Sequence, residues 1–236
     1  MDVRSTVAEV IGQLEAAADP VWAAGQRRFF QHEVSTVGVR GDVVKRVATE
    51  LYKVTRDWPV AGRNRCMNAL WQDGRLECGG VVCHAYRRFA QSCFEPEFRL
   101  FERWIDRYVE NWALCDGVST YLVAAAIQNA PELRLELPRW TQSKDRWKRR
   151  AAAVSLVPAA RKGRHVETVL EIAGLLRTDE DDMVRKGLGW MLKDAWPAQP
   201  ARIGEFLDAH ANELPKLVLR IAREKMPRNA APVVGR

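Results

Sequence analysis

The fold is decided by residues 144–214, where four segments with helical periodicity follow one another: KDRWKRRAAAVSLV (144–157), RHVETVLEIAGLLR (164–177), DMVRKGLGWMLKDAW (182–196) and PARIGEFLDAHANEL (200–214). Within each segment apolar residues recur every three or four positions, the spacing of one face of an α-helix. Short breaks that carry Gly, Pro or Asp separate the segments. They predict two successive helical pairs with a period of about 35 to 40 residues.

The same pattern extends outward to nearly the whole chain, and strand signals are almost absent. Predicted helices begin near Arg4, Ala18, Asp42, Ala61, Glu77, Pro96, Asn111, Leu133, Lys144, Arg164, Asp182, Pro200 and Asn212. A row of short amphipathic helices without a long linker predicts an all-α superhelical solenoid of HEAT-like repeats, with a globular all-α bundle as the alternative. We expect one repeat domain over residues 1–225 and a disordered tail over residues 226–236.

Composition and charge narrow the class of protein. The 236 residues contain 37 Lys and Arg against 30 Asp and Glu, and this net charge of +7 favours a polyanionic partner, either nucleic acid or an acidic membrane surface. No segment has the pattern of a signal peptide or a membrane span. The odd count of five cysteines argues against a secreted disulfide framework. We therefore expect a cytoplasmic protein.

Several kinds of site are disfavoured by the sequence. It contains no P-loop, GxGxxG, HExxH or GxSxG motif. Cys78, Cys83 and His84 stand close together but lack the second ligand pair of a structural zinc site. We therefore expect ordinary thiols in helices, no metal and no cofactor. The four histidines share no motif, and we expect each to be a surface or structural residue: His32, His84, His165 and His210.

A tryptophan and an aspartate lie off the apolar stripe of the predicted helix over residues 111–130. Trp112 and Asp116 are four residues apart, so they lie side by side on the helix. Asn111 is expected to cap this helix. Its buried face is predicted to consist of Leu114, Val118, Tyr121, Leu122 and Ala125. The pair indicates a functional site, unless Trp112 packs on a neighbouring repeat and Asp116 is merely solvated.

Two later segments add an aromatic residue and a basic cluster. Trp190 lies outside the apolar stripe of the helix predicted to begin near Asp182, and it lies beside Lys186 and Lys193. That stripe consists of Val184, Leu188, Met191 and Leu192. This arrangement suits stacking on nucleic acid, although a Trp wedged between repeats is the alternative. In the segment DRWKRR (145–150), Arg150 lies at the edge of the inward face and can offer two N–H donors to a phosphate. Lys148 and Arg149 point elsewhere, as phosphate contacts or as a solvated face.

These residues carry a resemblance to a known family. The chain resembles the AlkD-type DNA alkylation repair glycosylases, which are built from HEAT-like repeats. The likeness runs over nearly the whole length and rests on four stretches in order: FFQHEVSTVGVRGDVVKRVA (29–48), NWALCD (111–116), WTQSKDRWKRRAAAVS (140–155), and VRKGLGWMLKDAW (184–196) followed by LRIAREKMP (219–227).

The resemblance implies roles for individual residues. Asp116 would be the catalytic carboxylate, Trp112 and Trp190 the indoles that flank the deoxyribose of the lesion, and Arg150 a phosphate contact. Arg40 lies where an early-repeat DNA contact would fall. Family members often have Asp directly after the first Trp, whereas this chain has Ala113, with Cys115 before Asp116. This departure leaves the substrate preference open.

The implied activity is excision of cationic purines from duplex DNA. N3-methyladenine, N7-methylguanine and bulky N3 or N7 adducts would be removed by hydrolysis, without a metal and without base flipping. The protein would act as a monomer, associated with the nucleoid when bound to DNA and independent of membranes. The alternative is a non-catalytic repeat module that binds DNA, including branched DNA, or a protein partner.

Overall fold

A computed structural model of the chain describes residues 2–30 and 32–227, and every regular element in this part of the chain is helical. The α-helices are α1 (Val3–Ala16), α2 (Pro20–Arg27), α3 (Gly41–Thr55), α4 (Val60–Gln72), α5 (Leu76–Tyr86), α6 (Glu95–Tyr108), α7 (Trp112–Gly117), α8 (Ala124–Asn129), α9 (Leu137–Trp140), α10 (Arg146–Val154), α11 (Val157–Ala160), α12 (Val166–Leu176), α13 (Asp182–Ala195), α14 (Pro200–Ala209) and α15 (Lys216–Ala222). The predicted tail lies outside the described residues from residue 228 onward.

Most helices begin within two residues of the predicted position. The last helix is an exception, because it begins at Lys216 rather than near Asn212, directly after Pro215. The predicted helix over residues 144–157 is also interrupted, and α10 ends at Val154. Pro158 explains the break, since it has no N–H group to donate to the carbonyl oxygen of Val154.

The helices pack as two rows, and this arrangement confirms the predicted helical-repeat solenoid. One row stacks α3, α5, α7, α10, α13 and α15 in chain order, and we call it the first row. Alternating helices such as α4, α6 and α12 form the second row behind it. First-row helices begin at Gly41, Leu76, Trp112, Arg146, Asp182 and Lys216, so the repeat is 34 to 36 residues long. One continuous apolar core runs between the rows from Val10 to Ala222.

The element that carries Asp116 differs from a simple α-helix. Residues Val118–Val123 form a π-helical segment between α7 and α8. A π turn holds one residue more than an α turn, so the side chains that follow are rotated around the axis. Tyr121 and Ala125, predicted in the buried stripe, are therefore only half-buried, while Leu114, Val118 and Leu122 are buried as predicted.

No helix among the described residues combines the length and the apolar character that a membrane span requires.

Candidate functional site

Asp116 opens onto a cavity between first-row helices. The cavity has a volume of about 220 Å³, and we call it the Asp116 cavity; it is lined by Gly80, Cys83, His84, Ala113, Leu114, Asp116, Gly117, Thr120, Tyr121 and Trp190. The structure thus brings Asp116 and Trp190, singled out from the sequence, to the same place, although they lie in different repeats. Asn111 caps α7 as predicted, since its side chain accepts a hydrogen bond from the backbone N–H of Leu114.

Arg150 holds the Asp116 carboxylate in a two-point ion pair. Its Nε donates to Oδ1 at 2.8 Å and its Nη2 to Oδ2 at 2.9 Å. A third donor, Nη1, binds the carbonyl oxygen of Met183 at 2.5 Å. Gly187 of α13 leaves room for this side chain, because a Cβ there would lie 3.1 Å from Cγ of Arg150. Both partners are largely buried, with 7% of the Arg150 side chain and 19% of the Asp116 side chain exposed.

Burial and the ion pair act in opposite directions on Asp116. Burial raises the pKa of the carboxyl above its ordinary value, and the hydrogen bonds and charge of Arg150 oppose that rise. For Arg150, burial disfavours the charged form, but the hydrogen bonds and charge of Asp116 outweigh it and the pKa is raised. The geometry is that of an ionised pair, since each carboxylate oxygen accepts from a guanidinium that remains charged. The site therefore presents a fixed carboxylate with little solvent around it.

A hydrogen bond to a second carboxylate holds the indole of Trp190 in place. Its Nε1 donates to Oδ2 of Asp194, one turn further along α13, at 3.1 Å. The side chain of Asp194 is only 3% exposed and also binds Arg161 at 2.5 Å and Lys225. Because the N–H edge of the ring is fixed in this way, the half-buried indole keeps one orientation at the Asp116 cavity.

Trp112 is not among the residues that line the Asp116 cavity, although it lies one turn before Asp116 on α7. Its ring stacks on Phe30, with the ring centroids 5.7 Å apart, and its Nε1 donates to the carbonyl oxygen of Phe29 at 3.2 Å. The half-buried indole therefore connects the N-terminal end of α7 to the segment that follows α2.

Most of the cations predicted to contact a polyanion have carboxylate partners within the chain. Lys148 binds Asp106 at 2.8 Å and Glu102 at 3.1 Å. Arg149 binds Asp179 at 2.7 Å, and Lys193 binds Glu224 at 3.0 Å.

Two of the predicted cations differ from these. Lys186 forms no ion pair with any residue that the structure describes. Arg40 is exposed, with its guanidinium 4.9 Å from the ring centroid of Trp22.

The Asp116 cavity is one part of a longer trough. A second cavity of about 400 Å³ is lined by Lys45, Thr49, His84, Arg87 and Arg88. It shares His84 with the Asp116 cavity. A third, of about 320 Å³, shares Arg87 with the second cavity and Tyr121 with the first.

Sequence reasoning missed Arg87 and Arg88 and assigned His84 no role in binding. The three residues are spaced i, i+3 and i+4, which places them on one face at the end of α5 and the turn that follows it, a signal that could have identified them.

The thiols predicted to be ordinary are buried. Cys78 donates a hydrogen bond to Asp73 at 3.1 Å, and burial raises the pKa of Cys83 to about 12. His84 faces the ring of Tyr121, with the centroids 5.6 Å apart. No group of three or more His, Cys, Asp or Glu residues within residues 2–30 and 32–227 is arranged to hold a metal ion.

Comparisons with known proteins give two results. The model of the family described as "DNA alkylation repair enzyme" matches residues 10–226. The fold is similar to a solved structure described as a predicted DNA alkylation repair enzyme from Enterococcus faecalis, with a TM-score of 0.80 and 17% sequence identity over 89% of this chain and 97% of that chain. No protein with a curated description gives a significant match.

Proposed function

The chain belongs to the DNA alkylation repair enzyme family, and from this premise we propose that it is a DNA glycosylase of the AlkD type. It releases alkylated purines from duplex DNA. Its substrates are purines that alkylation at N3 or N7 has made cationic, such as N3-methyladenine and N7-methylguanine. The observation that carries the proposal is the buried Asp116 carboxylate, which Arg150 orients at a cavity shared with Trp190.

The chemistry asks little of the protein beyond a well-placed negative charge. An alkylated purine that carries a positive charge is already a good leaving group. When the bond between C1′ and the purine nitrogen breaks, its electron pair neutralises the base, and positive charge develops on the sugar as in other glycoside cleavages. The fixed Asp116 carboxylate stabilises that charge and orients a water molecule. The water oxygen bonds to C1′ and loses a proton to solvent or to Asp116, leaving a neutral free base and an abasic site.

In this proposal Arg150 has two tasks. It fixes the rotamer of Asp116, so the carboxylate need not reorganise as the sugar becomes cationic. The three hydrogen bonds of Arg150 use three of the five N–H groups of a guanidinium, which leaves two for a phosphate oxygen next to the lesion. Arg40, Lys148, Arg149, Lys186 and Lys193 stay predictions as further DNA contacts.

The two tryptophans would flank the deoxyribose. The anchored indole of Trp190 faces the Asp116 cavity, and an aromatic face near a developing cation contributes about 0.5–2 kcal/mol. Trp112 would approach from its position one turn before Asp116 on α7. We further propose that the lesion stays in the duplex and is attacked from the backbone side, because Asp116 lies in a trough that continues to α3 and α5 of the first row. Such an arrangement could also admit bulky adducts.

The proposal is tested by base release from a duplex that contains N7-methylguanine, with enzyme in excess. We expect release by the wild-type protein and a loss of at least about a hundredfold in rate for Asp116→Asn, the scale of removing one electrostatic stabiliser of a transition state. Asp57→Asn is the matched control, because Asp57 is an exposed carboxylate whose partner among the described residues is its neighbour Arg56. Duplex binding and thermal melting of each variant show that it is folded.

Two outcomes would contradict the proposal. Binding without release by the wild-type protein would favour the non-catalytic DNA-binding module instead. Equal release by wild type and Asp116→Asn would remove the role assigned to Asp116.

A further inference from the structure

The second cavity of the trough is lined almost entirely by hydrogen-bond donors, and we call it the cationic cavity. Lys45 and Thr49 come from α3, His84 from α5, and Arg87 and Arg88 from the 3₁₀ turn that follows α5. No carboxylate is among the described residues that line it. Its volume of about 400 Å³ is the largest of the three cavities in the trough.

The positive charges of this cavity are not compensated within the part of the chain that the structure describes. Lys45, Arg87 and Arg88 form no ion pair there, in contrast to Lys148 and Arg149. Neutral groups position the guanidinium groups instead. Arg88 donates to Oγ1 of Thr49 at 3.0 Å and lies 5.3 Å from the ring centroid of Tyr52, and Arg87 lies 4.8 Å from that of Tyr121. An aromatic face holds a guanidinium in place without neutralising its charge.

The cationic cavity lies directly beside the Asp116 cavity, because His84 lines both. If Asp116 faces C1′ of a deoxyribose, the backbone on either side of that sugar passes the neighbouring parts of the trough, and the cationic cavity is one of them. We propose that Lys45, Arg87 and Arg88 form a phosphate-binding site that holds the backbone of the DNA strand carrying the lesion, and so set that strand in register with Asp116. This inference rests on the proposed function for its choice of strand.

Phosphodiester oxygens suit this cavity better than a base does. Each phosphate oxygen accepts charge-assisted hydrogen bonds, and a guanidinium can bind two of them at once. The repeating charge of the backbone also matches a cavity with three separate cations, whereas a single base would leave these charges unpaired. Most protein contacts to DNA are made to the backbone and fix the register of the protein on the duplex.

The experiment measures binding of a short undamaged duplex by fluorescence anisotropy at a series of salt concentrations. Each phosphate contact contributes about −0.9 to the slope of log Kobs against log salt concentration. We expect Lys45→Ala, Arg87→Ala and Arg88→Ala each to weaken binding and to make the negative slope shallower by about one. Arg87→Lys, which keeps the charge, is expected to keep the slope.

Arg202→Ala is the matched control. It removes the same unit charge, but Arg202 lies on α14 and binds Glu167 at 3.0 Å. We expect its slope to equal that of the wild-type protein. The inference is overturned if the three cavity variants keep the wild-type slope, or if Arg202→Ala makes the slope as shallow as they do. Because undamaged DNA needs no excision, a failure of the glycosylase proposal would appear in base release and not in these slopes.

His84 provides an independent measurement. Burial and the nearby charges of Lys45 and Arg87 lower the pKa of its imidazole in the free protein. On the other side of His84, Asp116 and Tyr121 line the Asp116 cavity, and neither is among the groups that lower this pKa in the free protein. A bound phosphate would offset the two cations and raise the pKa of His84, which proton NMR can follow with and without duplex. An unchanged pKa for His84 in a saturated complex would overturn the placement of phosphate in this cavity.

Discussion

At the scale of single residues, Asp116 and Arg150 determine each other's energetics. Taking either charge out of water is unfavourable by several kcal/mol, and the partner offsets most of that cost. The side chains lie on α7 and α10, 34 residues apart in sequence, so the pair also ties two consecutive repeats together. A carboxylate held in this way is stable as an anion without being free to rotate, which is the property that the proposed chemistry needs.

A double-mutant cycle tests this coupling. Arg150→Met leaves the buried Asp116 charge unpaired, and we expect it to lower the free energy of unfolding by about 3–5 kcal/mol. In the Asp116→Asn background the same change should cost less by about 1–3 kcal/mol, because no anion is left without its partner. Urea unfolding followed by circular dichroism measures both values. An equal cost of Arg150→Met in the two backgrounds would show that the pair does not contribute as an ion pair.

The sequence predicts several residues of the candidate site but none of the contacts between them. Asp116, Arg150 and Trp190 were singled out because each lies off or at the edge of an apolar stripe, a property that a single helix determines. The ion pair of Arg150 with Asp116 depends on how α7 and α10 pack, and helical periodicity contains no such information. The sequence predicts His84 to be a surface or structural residue, because its neighbours from α3 and the π-helical segment are known only from the fold.

At the scale of elements, the π-helical segment Val118–Val123 shows where periodicity fails. The α-helical spacing of 3.6 residues places Tyr121 in the core, and the wider turn moves it to the trough. The rest of the helix pattern was predicted well, since start positions depend on local caps and breaks. Asp181 and Asp145 precede α13 and α10, and each accepts hydrogen bonds from backbone N–H groups in the first turn of the helix that follows it. Aspartate is one of the residue types that commonly cap a helix in this way.

The packing of α7 on α5 depends on a glycine. A Cβ at Gly79 would lie 2.6 Å from Cδ2 of Leu114 and 2.7 Å from Cζ3 of Trp71. We expect Gly79→Ala to lower the free energy of unfolding by about 1–3 kcal/mol, because α5 must move away from Leu114 of α7 and Trp71 of α4. Gly174 in α12 is the matched control, since nothing lies within 4 Å of its Cβ position.

For Gly174→Ala the same chemical change should stabilise the protein by about 0.5–1 kcal/mol through helix propensity. The two variants are compared by urea unfolding. A Gly79→Ala protein as stable as Gly174→Ala would mean that α5 and α7 are not in close contact.

At the scale of the whole molecule, the question is whether the array unfolds as one unit. Repeat proteins are stabilised by interfaces between neighbours, so a weak interface can let one end unfold alone. Here the apolar core is continuous from Val10 to Ala222, and the first-row helices α7, α10 and α13 pack against one another across the middle of the chain. This continuity predicts a single cooperative transition.

The five cysteines make this prediction measurable. All of them are buried free thiols, and they lie between Cys66 and Cys115, in the first half of the array. Burial raises the pKa of Cys66 to about 11 and that of Cys93 to about 12, so the native thiols should resist a thiol-specific reagent near neutral pH. Thiol labelling then reports on the first repeats, whereas circular dichroism reports on all helices. We expect the urea midpoints of the two signals to coincide. A midpoint for thiol labelling at a clearly lower urea concentration than the midpoint for the loss of helix would show that the first repeats unfold by themselves. The core would then not couple the Asp116 cavity to the later repeats.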